Sequence, residues 1–222
     1  KEIKPRAKET TVPNSTTGED FSLGEALRTT AFWQVFMAYL LCLACLEIIM
    51  VHLVNHATDI GLPAATAALF ISIIGITSIV GRIGGGIISD RVGIKVTITA
   101  SLVLQGLVVL SLLVIREVWL FYTFATLFGL GYGGWVPGFP AIIGELFGMK
   151  AHGAIFGVII FAATIGGAIG SYAAGFIFDV TQNYAVAFAA ATTASITAGV
   201  FTLLLKQPKK RAPAGEGRGT GC

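Results

Sequence analysis

The chain has 222 residues, of which 55% are hydrophobic and only 12% charged, with a net charge of +3 and a mean hydropathy of +0.81. Soluble globular domains carry roughly a quarter charged residues, so this composition excludes that class and points to a membrane. The basic excess is no nucleic-acid signal, because its residues lie at the edges of apolar stretches instead of forming one patch.

Six apolar stretches cover 31–56, 64–88, 96–115, 118–143, 153–178 and 184–205. Each reaches the roughly 20 residues a helix needs to cross about 30 Å of hydrocarbon. Period-two alternation is absent, which excludes a transmembrane β-barrel. Of the 15 Lys and Arg, 13 fall in the two tails and in the second and fourth connections. An even number of spans puts both tails on one side, and the positive-inside rule makes that side cytoplasmic. The predicted fold class is therefore an all-α membrane protein, a six-transmembrane-helix bundle, placed in the plasma membrane with both termini cytoplasmic. The predicted organisation is a cytoplasmic linker with a short amphipathic helix (1–30), the bundle (31–205) and a disordered cytoplasmic tail (206–222).

The polar leader begins at Lys1 without a Met and reads as the interior of a longer protein. Ser22-Leu23-Gly24-Glu25 has the capping-box pattern and predicts a short helix through Arg28 at the membrane surface. Phe32 and Trp33 then open the first span as interfacial aromatics. Cys42 and Cys45 read as small apolar packing residues, in preference to redox or metal chemistry. Glu47 is an acid within a span: it could carry a proton, or hydrogen-bond a neighbouring helix. His52 and His56 share one face, and only Asp59 offers a further ligand nearby. Cavity lining or headgroup contact is favoured over metal binding, and neither metal nor cofactor is expected.

The second span holds Arg82, about 10 Å from its cytoplasmic edge at 1.5 Å per residue. An intramembrane arginine is costly unless it faces a partner or a water-filled cavity. Two readings stand: snorkelling to the headgroups, or a fixed cation gripping a carboxylate with paired N–H donors. Gly81/Gly85, Gly129/Gly133, Gly153/Gly157 and Gly166/Gly170 have GxxxG spacing, which lets helix backbones approach closely. They predict that the second, fourth and fifth spans form the tight interior. In the fourth span, Gly133 to Pro140 contains two prolines amid glycines and predicts a bend, static or moving. Tyr132 and Trp135 either line a cavity at that bend or pack there. The tail carries a basic anchor, Lys206, Lys209, Lys210 and Arg211.

The second connection reads Gly86-Ile-Ile-Ser-Asp90-Arg91-Val-Gly93-Ile-Lys95. Asp90 and Arg91 can pair with neighbouring helix ends, and Gly93 permits a sharp turn. This G-x-x-x-D-R-x-G-x-K pattern resembles the cytoplasmic loop motif of the major facilitator superfamily. Val51 through Gly61, Gly81-Arg82, Phe128 through Gly148 and Gly175 through Thr181 resemble, in order, the seventh, eighth, tenth and eleventh helices of the monocarboxylate-porter and oxalate/formate-antiporter branch. The resemblance covers roughly residues 25–205 and implies one half, the C-terminal one, of a twelve-helix major facilitator fold.

It implies a gating motif at Gly86, Asp90, Arg91, Gly93 and Lys95, and substrate binding by Arg82; Tyr132 and Trp135, at the bend, are the further substrate-binding candidates. Glu47 is the proton-coupling candidate. Those porters often place an acid four residues before the arginine, where this chain has Ser78. The oxalate/formate branch adds a lysine in the eleventh helix; 153–178 has none, which counts against oxalate. The implied function is a secondary transporter, working by alternating access, for a small organic anion such as a monocarboxylate, by symport or antiport. The implied partners are the lipid bilayer, the anion, and an N-terminal six-helix half or a second copy, with no nucleic acid. The alternative is a non-transporting half that pairs with or regulates another membrane protein. G-x-S-x-G, paired N-P-A loops and mitochondrial-carrier repeats are absent from the sequence, and the chain is read as no enzyme.

Overall fold

A computed structural model describes residues 20–208. The predicted linker up to residue 19 and the tail from 209, with its basic residues Lys209, Lys210 and Arg211, lie outside the described residues. The described chain is helical throughout, without strands. Its elements are α1 (Leu23–Ala26), α2 (Thr30–Asp59), α3 (Ala64–Val92), α4 (Ile94–Ser111), α5 (Val118–Trp135), α6 (Gly138–Phe147), α7 (His152–Thr181) and α8 (Ala185–Leu203). Helices α2, α3, α4, α7 and α8 are each long and apolar enough to cross a membrane. The remaining stretch forms α5 and α6 together, interrupted at Val136 and Pro137. Pro137 has no N–H for the Gly133 carbonyl and Pro140 none for that of Val136, so the ladder lapses over consecutive turns.

The capping box forms as its residues predict. The Ser22 N–H donates to the Glu25 carboxylate at 2.8 Å, and the Glu25 N–H to the Ser22 hydroxyl at 3.3 Å. Asp20 then anchors this leader, because its carboxylate accepts from the Met149 and Lys150 N–H groups at the turn before α7.

Lipid is as apolar as leucine, so burial of apolar area cannot by itself hold such helices together; close packing and interhelical hydrogen bonds do. α3 packs along α5, α2 along α7 and α8, and α4 between α5 and α8. The α3–α5 seam is two interlocked glycine pairs. A Cβ on Gly85 would lie 2.8 Å from the Gly134 carbonyl oxygen, one on Gly133 would lie 2.8 Å from the Arg82 nitrogen, and Gly129 faces Ile74 and Thr77. Gly166 and Gly170 do the same for α7 against Leu40 and Ala44 of α2.

The prediction of one interior built from the second, fourth and fifth spans is corrected. The glycines zip two separate pairs, α3 hardly touches α7, and Gly153 and Gly157 face open space. Identical spacing on an all-apolar helix does not say which face meets a neighbour.

The histidine expectation is met at His56, which lines a crevice with Asp59 and Arg116, and corrected at His52. His52 is buried, and its Nε2–H donates to the Ser171 carbonyl at 2.9 Å, tying α2 to α7. His56 packs edge-on against Phe188 at 4.9 Å. Cys42 and Cys45 are free and buried, and no metal-ligand cluster occurs among the described residues.

Candidate functional site

Helix α3 carries Arg82 on a face that no other described helix covers, among the exposed Ile79, Ile83 and Ile87. Its guanidinium carbon lies 5.7 Å from the centroid of the Tyr132 ring on α5. The glycine seam makes this possible: with Gly81 and Gly133 in backbone contact, the neighbouring exposed Arg82 and half-buried Tyr132 come within reach of each other. The ring's negative face attracts the cation. Among the described residues no carboxylate pairs with Arg82. The fork's N–H donors therefore remain available to an anion.

Tyr132 meets Trp135 at 5.5 Å, edge to face. Trp135 is 1% exposed and stands behind Tyr132, away from the open face. Its indole N–H donates to the Gln105 side-chain oxygen at 2.6 Å. Tyr39 of α2 closes the cluster, stacked on Phe139 at 4.3 Å and edge-on to Trp135 at 6.1 Å. Of the three residues expected around the substrate, the structure brings Arg82 and Tyr132 to one surface and sets Trp135 as the layer beneath.

Ser78, at the position where the resembled porters often hold an acid, is 3% exposed, and its hydroxyl donates to the Gly75 carbonyl of its own helix at 2.7 Å. Glu47 is half-buried on α2, facing α7, where a Cβ on Gly167 would lie 2.8 Å from its Cγ. Among the described residues it forms neither an ion pair with Arg82 nor a hydrogen bond to a neighbouring helix.

In the loop motif Gly93 has φ +91°, a conformation that favours glycine, and it ends α3 and starts α4 at a single residue. The helix-end partner is Lys95 and not Asp90 or Arg91: its ammonium donates to the Leu205 carbonyl at 2.8 Å, while Asp90 and Arg91 are exposed on the last turn of α3. Gly86 is open on its outer side. Asp90 lines a crevice of about 220 Å³ with Gly86, Ile94, Thr97, Pro137 and Gly138. The loop motif thus abuts the break in the fourth crossing.

Sequence reasoning missed Gln105 and Tyr39. Gln105 carried a signal, an amide amid hydrocarbon, whereas Tyr39 had none beyond its aromatic character.

The sequence pattern of the Major Facilitator Superfamily matches residues 3–117 and, overlapping them, 35–220. The chain belongs to the Major Facilitator Superfamily. Monocarboxylate transporter 12 of Mus musculus is 29% identical over 183 residues, covering 79% of this chain and 37% of that protein. The Rattus norvegicus protein of the same name is 30% identical over 158 residues, covering 69% and 32%. The Escherichia coli protein described as an uncharacterized MFS-type transporter is 28% identical over 160 residues, covering 69% and 39%. These relatives place the chain with the monocarboxylate-porter branch of the superfamily. In these matches the chain spans about a third of the length of its curated relatives.

Among solved structures, the E. coli fucose:proton symporter superposes with a TM-score of 0.73 over 84% of this chain and 45% of that one. Identity there is 16%, so the likeness shows the fold. This superfamily member is an integral, multi-pass membrane protein.

Proposed function

We propose that the chain is the C-terminal six-helix bundle of a secondary carrier that moves a small organic anion, a monocarboxylate, by alternating access. The observation that carries this reading is Arg82: a cation within a span, on an uncovered face, held over Tyr132 and without an acid partner among the described residues. A guanidinium so placed offers two parallel N–H donors to one carboxylate. The open face is what a second bundle would cover, and rocking of two bundles about a midplane site gives access from alternate sides. The second bundle is an N-terminal six-helix half or another copy of this one. The clustering of Lys and Arg supports cytoplasmic termini.

The test is uptake of radiolabelled acetate, lactate and pyruvate into proteoliposomes, with the chain alone and joined to the six-helix N-terminal half of a relative. Uptake by the joined form, abolished by Arg82→Ala with insertion intact, is the expected result. Tyr132→Phe keeps the ring face and should retain uptake. Tyr132→Leu should weaken it about two- to fivefold, the value of an exposed cation–π contact. Uptake undiminished in Arg82→Ala would remove the anion reading. Silence of the correctly inserted joined form would favour a half that regulates another membrane protein.

A further inference from the structure

The anion-site reading leaves the buried Gln105 amide unused. Gln105 lies within α4, surrounded by hydrocarbon side chains, and is 0% exposed. An amide in such surroundings is costly unless both its ends are bonded, and here both are. Its oxygen accepts from the Trp135 indole at 2.6 Å, and its NH₂ donates to the Cys45 sulfur on α2 at 3.5 Å. The contact depends on two further glycines of α5. A Cβ on Gly131 would lie 3.4 Å from the Gln105 Cβ, and Gly134 sits against Ser101 of α4. The same helix is thus pressed against α3 on one side and α4 on the other.

Trp135 is the last residue of α5, immediately before the two positions where the helical ladder lapses. Phe139 of α6 and Tyr39 of α2 meet its ring edge-on at 5.9 and 6.1 Å, contacts that leave the indole N–H without a polar partner. The Gln105 bond supplies that partner, and the indole in turn backs Tyr132, whose ring carries the Arg82 guanidinium.

We propose that Gln105 is a positioning residue for the anion site: through the Trp135 indole it fixes Tyr132, and so the direction of the Arg82 fork. The inference rests on the anion reading of Arg82, and its test has one arm that does not need transport. In the 222-residue chain carrying Trp33→Phe and Trp119→Phe, Trp135 is the sole indole of the three in the sequence. Gln105→Leu, similar in size but without the acceptor, shifts Trp135 emission to shorter wavelength and lowers its anisotropy. Gln105→Glu, which keeps an acceptor oxygen, restores the parent emission.

In the joined carrier, Gln105→Leu raises the KM for lactate about two- to fivefold with Vmax little changed, no more than Tyr132→Leu does, because it acts through that ring. Gln105→Glu restores KM. Trp135→Phe raises KM to the same degree, and the double variant adds nothing further.

Parent-like emission in Gln105→Leu overturns the proposal, as does a fall in Vmax at constant KM, which would mark general loss of structure. A joined carrier that takes up no carboxylate overturns the anion reading and this role with it. The emission shift, read without substrate, still tells that failure apart from a missing Gln105–Trp135 bond.

Discussion

The Lys95 ammonium donates to the Leu205 carbonyl oxygen at 2.8 Å and so joins the start of α4 to the end of α8. Within the loop motif this residue acts as an anchor between two helices that already pack together. Leu205 follows Leu204, the C-cap of α8, so the ammonium satisfies a carbonyl just beyond the helical ladder and close to the negative end of the helix dipole.

Lys95→Met should therefore lower stability by about 1 kcal/mol and leave the balance between inward- and outward-open states unchanged, while Lys95→Arg keeps most of the stability. Thermal unfolding in detergent, with cysteine accessibility from each side, checks both parts. A shifted balance at unchanged stability would make Lys95 a gate residue instead.

The α3–α5 seam gives a contrast within one motif type. A Cβ on Gly133 would lie 2.9 Å from the Gly81 Cα, whereas one on Gly157 meets nothing within 4 Å. Overpacking of this kind costs about 1–3 kcal/mol. Gly133→Ala should lower the unfolding temperature and separate Arg82 from Tyr132, with loss of uptake. Gly157→Ala should leave stability unchanged or raise it by up to about 1 kcal/mol through helix propensity. Equal effects at the two positions would show that the seam is not where the bundle is held.

Much of this architecture was legible in the sequence, because a helix that must cross hydrocarbon announces itself by length and apolar composition. The break at Val136 and Pro137 was legible because proline removes specific hydrogen bonds. Faces were not. Helices that are apolar all round carry no 3.6-residue stripe, so Gly153/Gly157 and Gly166/Gly170 look alike although only the second pair meets α2. The candidate site shows the same division. Arg82 stood out as a charge in a span, while the bond between Gln105 and Trp135 joins residues 30 apart in sequence and needed the fold to reveal it.

Glu47 tests whether proton movement has a carrier in this bundle. Its position against Gly167 puts a titratable group between α2 and α7, two helices in close contact. Glu47→Gln keeps the shape and removes the proton site. If Glu47 couples transport to protons, an imposed proton gradient should no longer drive carboxylate accumulation in the joined carrier, while exchange of labelled for unlabelled substrate at equal pH persists. Ser78 cannot substitute, because its hydroxyl is buried and bonded within its own helix. Gradient-driven accumulation that survives Glu47→Gln would assign coupling to the other bundle.

Asp90 is the member of the loop motif placed to act on the break in the fourth crossing. It shares a crevice with Pro137 and Gly138, the cap and first residue of α6. A carboxylate near the start of a helix is favoured by about 0.3–1 kcal/mol through the helix dipole, and moving α6 away forfeits that attraction. Asp90→Asn keeps the side chain's size and removes its charge. The expected outcome is a shift of about two- to fivefold in the ratio of cytoplasm-closed to cytoplasm-open carrier, with the carboxylate Kd unchanged. Distance distributions between spin labels on the cytoplasmic ends of the two bundles would report the ratio, and equilibrium binding the Kd. A rise in Kd with unaltered distances would place Asp90 in substrate binding and remove it from the gate.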